Sequence, residues 1–276
     1  MKLKILLRHV KKDHISVLNT SRHHVRVGDC FKTYPLTYDG QNYDLVFNLL
    51  TLDFKCQKTM PLALKSKIKF YILQADYLKW KFKKEGRAFF DFLRLYYDTY
   101  DHFLITDSES PDFIIHHRGD HGYEVTEATD AHNAKFNEAL YCLTSTERDT
   151  TAYKAYIQTI QRKLSKKRIN ALEINPRRYY DTDELQKRII QCISKKVDKY
   201  KKYQINLKTR NIIVFNNRIG FRRRADIEKL SALIKSNEKI TASDIDRIFI
   251  VGGNHDILVA YNRFGKILRV KRTLDQ

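Results

Sequence analysis

The sequence predicts an α/β fold, a mixed central sheet flanked by helices with a β-rich N-terminal addition, on three observations. Two long segments, residues 75–102 and 181–203, repeat apolar side chains at helical spacing. Short apolar runs of strand length lie around them, at 103–105, 111–115, 123–126, 211–215, 247–251 and 255–261. Hydrophobic residues make up 42% of the 276 residues and aromatics 12%, with only four Pro and nine Gly, which describes a folded chain rather than a disordered one.

Residues 1–75 mix short apolar stretches at 4–7, 24–27, 45–52 and 68–73 with the turn-like Asp39-Gly40-Gln41-Asn42, and so read as strands and loops of unknown role. The boundary to a second region, 76–276, falls where the period changes. There Leu78, Phe82, Phe89, Phe92, Leu93 and Tyr96 form one helical stripe, and Glu85 lies on the same face. A glutamate is rarely buried without a partner, so Glu85 either reaches solvent or a nearby Lys at the stripe's edge, or projects toward a metal. Next come the runs at 111–115 and 123–126, separated by a polar, Gly-containing turn, which make a hairpin. Helices follow at about 130–145 and 151–168. In the 181–203 helix Leu185, Ile189, Ile190, Ile193, Val197 and Tyr200 share a stripe, and Asp181 or Thr182 caps its start.

Lys plus Arg outnumber Asp plus Glu by 52 to 32, a formal charge of +20, which is the electrostatic footprint of a polyanionic partner. Nucleic acid leads that class; solvated Lys-rich surfaces and an anionic membrane surface are the alternatives. No stretch approaches a membrane span and no signal-peptide core is present, so a cytoplasmic protein that does not enter membranes is expected. Cys30, Cys56, Cys142 and Cys192 are far apart, which indicates free thiols rather than a zinc site or disulfides.

Against this basic background, residues 98–130 carry nine acids and one Lys or Arg, Arg118. Such an island opposes the field that would attract a polyanion, and a bound divalent cation would explain it. A turn centred near Arg118 sets Asp112 across from Glu124, with Cβ atoms about 5 Å apart, an arrangement that is destabilising unless something neutralises it. Thr126 shares their face, while Phe113, Ile115, Tyr123 and Val125 point to the core. Hard oxygen ligands suit Mg2+ or Mn2+.

Pro111-Asp112, a gap of eleven residues, then Glu124-Val125-Thr126 resembles the core motif of the PD-(D/E)XK nuclease superfamily, in a variant with Thr where Lys is usual. The order of elements is similar too: a helix bearing a glutamate, an Asp strand, a Glu-x-Lys strand, then a helix and further strands. The resemblance spans roughly residues 76–220 and implies a restriction-endonuclease-like α/β domain. Carried over, Asp112 and Glu124 are metal carboxylates, Glu85 is the helix glutamate and third metal candidate, and Thr126 stands at the lysine position. A hydroxyl brings no positive charge to the attacking water or the phosphorus. Lys135 and Lys196 are candidates for a substitute lysine.

The function this implies is Mg2+-dependent hydrolysis of phosphodiester bonds, with DNA ahead of RNA as substrate and restriction, phage defence or mobile-element biology as setting. The partners implied are nucleic acid and, within the protein world, a second copy or a defence complex. The alternatives are a nuclease-derived nucleic-acid-binding module without hydrolysis, and a basic scaffold whose acidic hairpin pairs with neighbouring Lys and Arg. Lys199-Tyr200-Lys201-Lys202-Tyr203 offers rings that could stack on bases, although helix packing explains them as well. His116, His117, Asp120 and His121 suggest a transition-metal cluster or, more plainly, exposed turn residues. The 251–255 segment reads as a hairpin turn, not a phosphate loop, and Arg222-Arg223-Arg224 as a solvated basic run or a phosphate contact.

Overall fold

The computed structural model describes residues 3–21, 24–74, 80–108, 110–128, 182–215, 224–252, 257–262 and 267–272. Among these residues the chain is mixed α/β, with a central sheet flanked by helices. Eleven strands form an eight-stranded sheet in the order β1-β5-β6-β7-β8-β9-β10-β11 and a three-stranded sheet, β2-β3-β4.

The large sheet is built from β1 (Val25–Arg26), β5 (Leu104–Asp107), β6 (Phe113–His116), β7 (Asp120–Glu127), β8 (Thr209–Phe215), β9 (Arg247–Gly252), β10 (Ile257–Asn262) and β11 (Ile267–Arg272). Strands β5, β6 and β7 form an antiparallel meander, β8 and β9 run parallel to β7, and β10 and β11 return antiparallel. Strands β9 and β10 pair antiparallel as expected, and residues 253–256 between them lie outside the described residues. Buried on both faces, β8 reads Ile212-Ile213-Val214-Phe215, the continuous apolar run that a central parallel strand requires.

Helix α3 (Trp80–Tyr96) covers one face. Its Phe89 stacks on Phe113 with ring centroids 4.2 Å apart, and Phe92 sits 4.5 Å from Phe249 and 5.1 Å from Tyr123. Helix α4 (Thr182–Tyr200) covers the other face. Its Leu185, Ile189, Ile193, Val197 and Tyr200 meet Ile212, Val214, Ile248 and Ile250, together with Ile227, Leu230 and Ile234 of α5 (Arg224–Ser236). The short α6 (Glu238–Thr241) is capped by Asn237, whose side chain accepts from Ile240 N. Consecutive residues of one strand therefore serve two cores.

The N-terminal region corrects the expectation of strands and loops. Strands β2 (Phe31–Tyr38), β3 (Gln41–Asn48) and β4 (Phe54–Cys56) are present, but so are helix α1 (Leu3–Ser21) and helix α2 (Leu62–Gln74). Residues 4–7 and 68–73, read as strand-like, are helical. The reason lies in the period: Leu6, Val10, His14 and Val17 are buried at spacings of three and four, a stripe hidden by the Lys-apolar alternation of the first residues. Leu6, Val10, Leu45, Phe47, Leu64 and Ile68 join the same apolar cluster as Phe89, Phe113 and Phe249. The β2–β3 hairpin closes on Asp39-Gly40, φ +51° and +70°, the left-handed pair that a two-residue turn demands.

The expected helices at 130–145 and 151–168 lie outside the described residues, as do residues 75–79, Asp181, Arg222 and Arg223. Among the described residues no helix is long and apolar enough to cross a membrane.

Candidate functional site

The β6–β7 hairpin has the register expected for its site. Phe113 pairs with Tyr123, Ile114 with Gly122 and His116 with Asp120, which centres the turn on Arg118 and brings Asp112 and Glu124 opposite each other. Asp112 lies one residue before β6, where the ladder stops. Its Oδ2 accepts from Val125 N at 2.7 Å, so the carboxylate takes an N–H that the strand no longer pairs. Gly122 lets Leu207 and Pro111 close over the hairpin, because a Cβ there would lie 2.6 Å from Leu207 Cδ1 and 2.9 Å from Pro111 Cγ.

Glu124 has no exposed surface, a costly place for a carboxylate unless cations and donors surround it. Helix α4 and the turn after it supply them. Lys196 Nζ contacts Glu124 Oε2 and lies 3.2 Å from Asp112 Oδ2, so a single ammonium bridges the two carboxylates. Lys199 Nζ lies 3.2 Å from Glu124 Oε2, and the Tyr203 hydroxyl donates to Oε1. Positions 196, 199 and 203 recur at helical spacing along the border of the stripe that buries Val197 and Tyr200. Two carboxylates thus meet two ammonium groups.

The electrostatics separate the two acids. Burial pushes the Asp112 carboxyl up, opposed by Lys196 and reinforced by Glu124. Burial acts on Glu124 in the same sense, but Lys196, Tyr203 and Lys199 outweigh it and hold its carboxyl below the usual range. Of the pair, Glu124 keeps its charge and Asp112 takes a proton first. Burial lowers and Glu124 and Asp112 raise Lys199, with a net upward shift. Burial and the bond to Glu124 raise the Tyr203 phenol.

A third acid, Asp107, stands at the end of β5, its register partner being Phe113. Its carboxyl is pushed up to about 7 by burial, by Asp112 and by Glu85. Half-buried Glu85, on α3, therefore lies within electrostatic reach of Asp107. Thr126 lies one residue pair beyond Glu124, near Cys192, whose thiol donates to Glu127 O at 3.6 Å. Asp112, Glu124 and Lys196 are brought together. Lys135 lies outside the described residues.

Sequence reasoning missed Lys199, Tyr203 and Asp107 as members of this site. The first two were legible as a continuation of the Lys196 row, and Asp107 as part of the acidic island. Of the two readings of the tyrosines, packing describes Tyr200, which is buried with its hydroxyl donating to Asn211 O at 2.9 Å, while the Tyr203 hydroxyl donates to Glu124.

The turn histidines do not converge. His116 Nδ1 bonds Asp120 Oδ1 at 2.8 Å and its Nε2 bonds Thr106 Oγ1 at 2.8 Å, while His121 bonds Thr209 Oγ1 and His117 O. His24, at φ +71°, bonds Thr106 from the other side at 2.9 Å, tying the edge strands together. Among the described residues no group of three or more His, Cys, Asp and Glu is arranged to hold a metal ion by itself. Cys30, Cys56 and Cys192 are free thiols. No family model, no curated protein and no solved structure matches the chain.

Proposed function

We propose that the chain is a divalent-metal-dependent nuclease whose metal carboxylates are Asp112 and Glu124 and whose lysine comes from helix α4 as Lys196. The observation that carries this reading is the convergence of Asp112 Oδ2 and Glu124 Oε2 on one cationic nitrogen. Among the described residues the order α3, β5, β6, β7 follows the helix, Asp strand and Glu strand of the PD-(D/E)XK resemblance, and the helix expected next, 130–145, lies outside them.

The donor set fits Mg2+ or Mn2+. Both oxygens are hard, and Mg2+ commonly takes one or two carboxylates, completing its shell with water and substrate phosphate. When bound, the cation would supply Lewis acidity and a water of lowered pKa. The chain's own groups do the rest. Val125 N holds Asp112, Tyr203 and Lys199 hold Glu124, and Lys196 and Lys199 offer positive charge to a phosphate on the α4 side of the sheet. The formal charge of +20 would hold a nucleic-acid backbone around this acidic centre. DNA is the substrate this reading places first.

The test is incubation of the purified protein with plasmid DNA, linear DNA and RNA in Mg2+, Mn2+ or chelator. Cleavage should require the divalent ion and fall by about 100-fold or more in Asp112→Asn and Glu124→Gln, variants that keep size and remove the charge. Cleavage that survives both substitutions or ignores chelator would remove the assignment. A second reading, a binding module that has lost hydrolysis, is favoured by the neutral Thr126 at the position where the motif usually has Lys. It predicts salt-sensitive binding to nucleic acid with no cleavage under any metal condition.

A further inference from the structure

Among the described residues, Lys196 Nζ is the nitrogen that touches both Asp112 and Glu124, whereas Lys199 touches Glu124 alone. A divalent cation held by these two acids needs the same oxygens, at about 2.0–2.1 Å for Mg2+. It cannot share them with an ammonium group in van der Waals contact, since like charges so close repel strongly.

We propose, resting on the metal-site reading above, that Lys196 is an exchangeable counter-ion: it holds the two carboxylates in place until a divalent cation takes its position, and its released ammonium group then faces incoming phosphate. The surroundings suit such an exchange. Lys196 keeps 13% of its side chain exposed while Glu124 keeps none, so the lysine has a route to solvent and the carboxylate does not. The acids stay in position when it leaves, because Val125 N retains Asp112 Oδ2 and the Tyr203 hydroxyl retains Glu124 Oε1. Glu124 Oε2 is the oxygen left for the metal once Lys199, whose ammonium group also touches it, swings aside. Lys199, 44% exposed and 3.2 Å from that oxygen, marks the same side as the open one.

Exchange carries a sign that a merely structural ion pair does not. A structural pair, once broken, leaves Asp112 without its ammonium partner and the hairpin loosened, so metal affinity stays level or drops. Under exchange the lysine competes with the metal, and removing it tightens metal binding while weakening the metal-free fold.

The measurement is Mn2+ affinity by calorimetry on the full chain, for wild type and Lys196→Met, alongside thermal unfolding with and without Mn2+. The dissociation constant should fall about tenfold in the variant, the effect of removing a competitor worth about 1.4 kcal/mol. Its metal-free melting temperature should lie below wild type, with the gap narrowing in saturating Mn2+. Equal or weaker Mn2+ binding by the variant overturns exchange while leaving the metal site standing. Absence of Mn2+ binding by wild type overturns both. Should the variant fail to fold, acetylation of wild type by an amine-reactive ester, read residue by residue by mass spectrometry, decides the matter. Lys196 labelling should rise severalfold on adding Mn2+ relative to Lys239, which pairs with Asp198 away from the site. Unchanged or slower labelling of Lys196 overturns the proposal.

Discussion

Glu124 stays ionised although fully buried because three side chains of one helix and its exit turn converge on it. Removing one donor leaves the acid partly uncompensated, the situation in which a single hydrogen bond has its largest effect. Tyr203→Phe deletes the donor to Oε1 and keeps the ring. We expect about tenfold weaker Mn2+ binding by calorimetry, the scale on which residues supporting a metal ligand act; unchanged affinity would mean that Oε1 needs no anchor. Two other residues set the pH range of the fold. Burial lowers His14 to about 4, so the unfolded chain binds a proton that the folded chain refuses between its ordinary value and about 4. Stability should drop by about 2 kcal/mol from pH 7 to pH 5, and His14→Leu should flatten that limb in denaturant titrations. Asp107 acts in the opposite direction. Its raised carboxyl binds a proton in the fold that the unfolded chain has already lost, so stability falls as pH rises through about 7. In chelator, Asp107→Asn should gain about 1 kcal/mol over wild type between pH 6 and pH 8, a figure discounted for partial exposure.

At the level of elements, the hairpin β6–β7 is where sequence and structure agree most closely. The alternation of Phe113, Ile115, Tyr123 and Val125 against Asp112, Glu124 and Thr126 fixes which face is core, and the Gly-containing turn fixes the register. Helix α4 was equally legible from its apolar stripe. What the hairpin could not reveal is which lysine reaches it, since Lys196 is 72 residues further along the chain and resembles every other lysine until α4 is laid on the sheet. Helix α1 was hidden for a local reason. His14 fills a core position that an apolar residue would have announced, and alternating lysines imitated a strand. Gly122 is a hinge of the hairpin's packing, and Gly122→Ala should destabilise by about 1–3 kcal/mol as Leu207 and Pro111 are pushed away. A neutral effect in chemical denaturation would show that Leu207 yields freely. Phe89→Ala, which empties the space between α3 and Phe113, should cost about 3–5 kcal/mol.

For the whole molecule, a formal charge of +20 coexists with two buried acids, Asp112 and Glu124. That distribution suits a protein that gathers a polyanion at long range and places a cation between it and two buried acids. Binding to DNA should weaken steeply with salt, with a slope of log K against log salt of about −5 or steeper if six or so phosphates are neutralised. A flat salt response would favour a scaffold whose charge has no polyanionic partner. The central claim, that Asp112 and Glu124 form a divalent-metal site, is tested most directly by a crystal structure with Mn2+ and its anomalous signal. The account predicts a peak between Asp112 Oδ2 and Glu124 Oε2, with Lys196 Nζ moved away and Tyr203 still bonded to Oε1. Lys196 still bridging both carboxylates in saturating Mn2+, with no anomalous peak beside them, would contradict it.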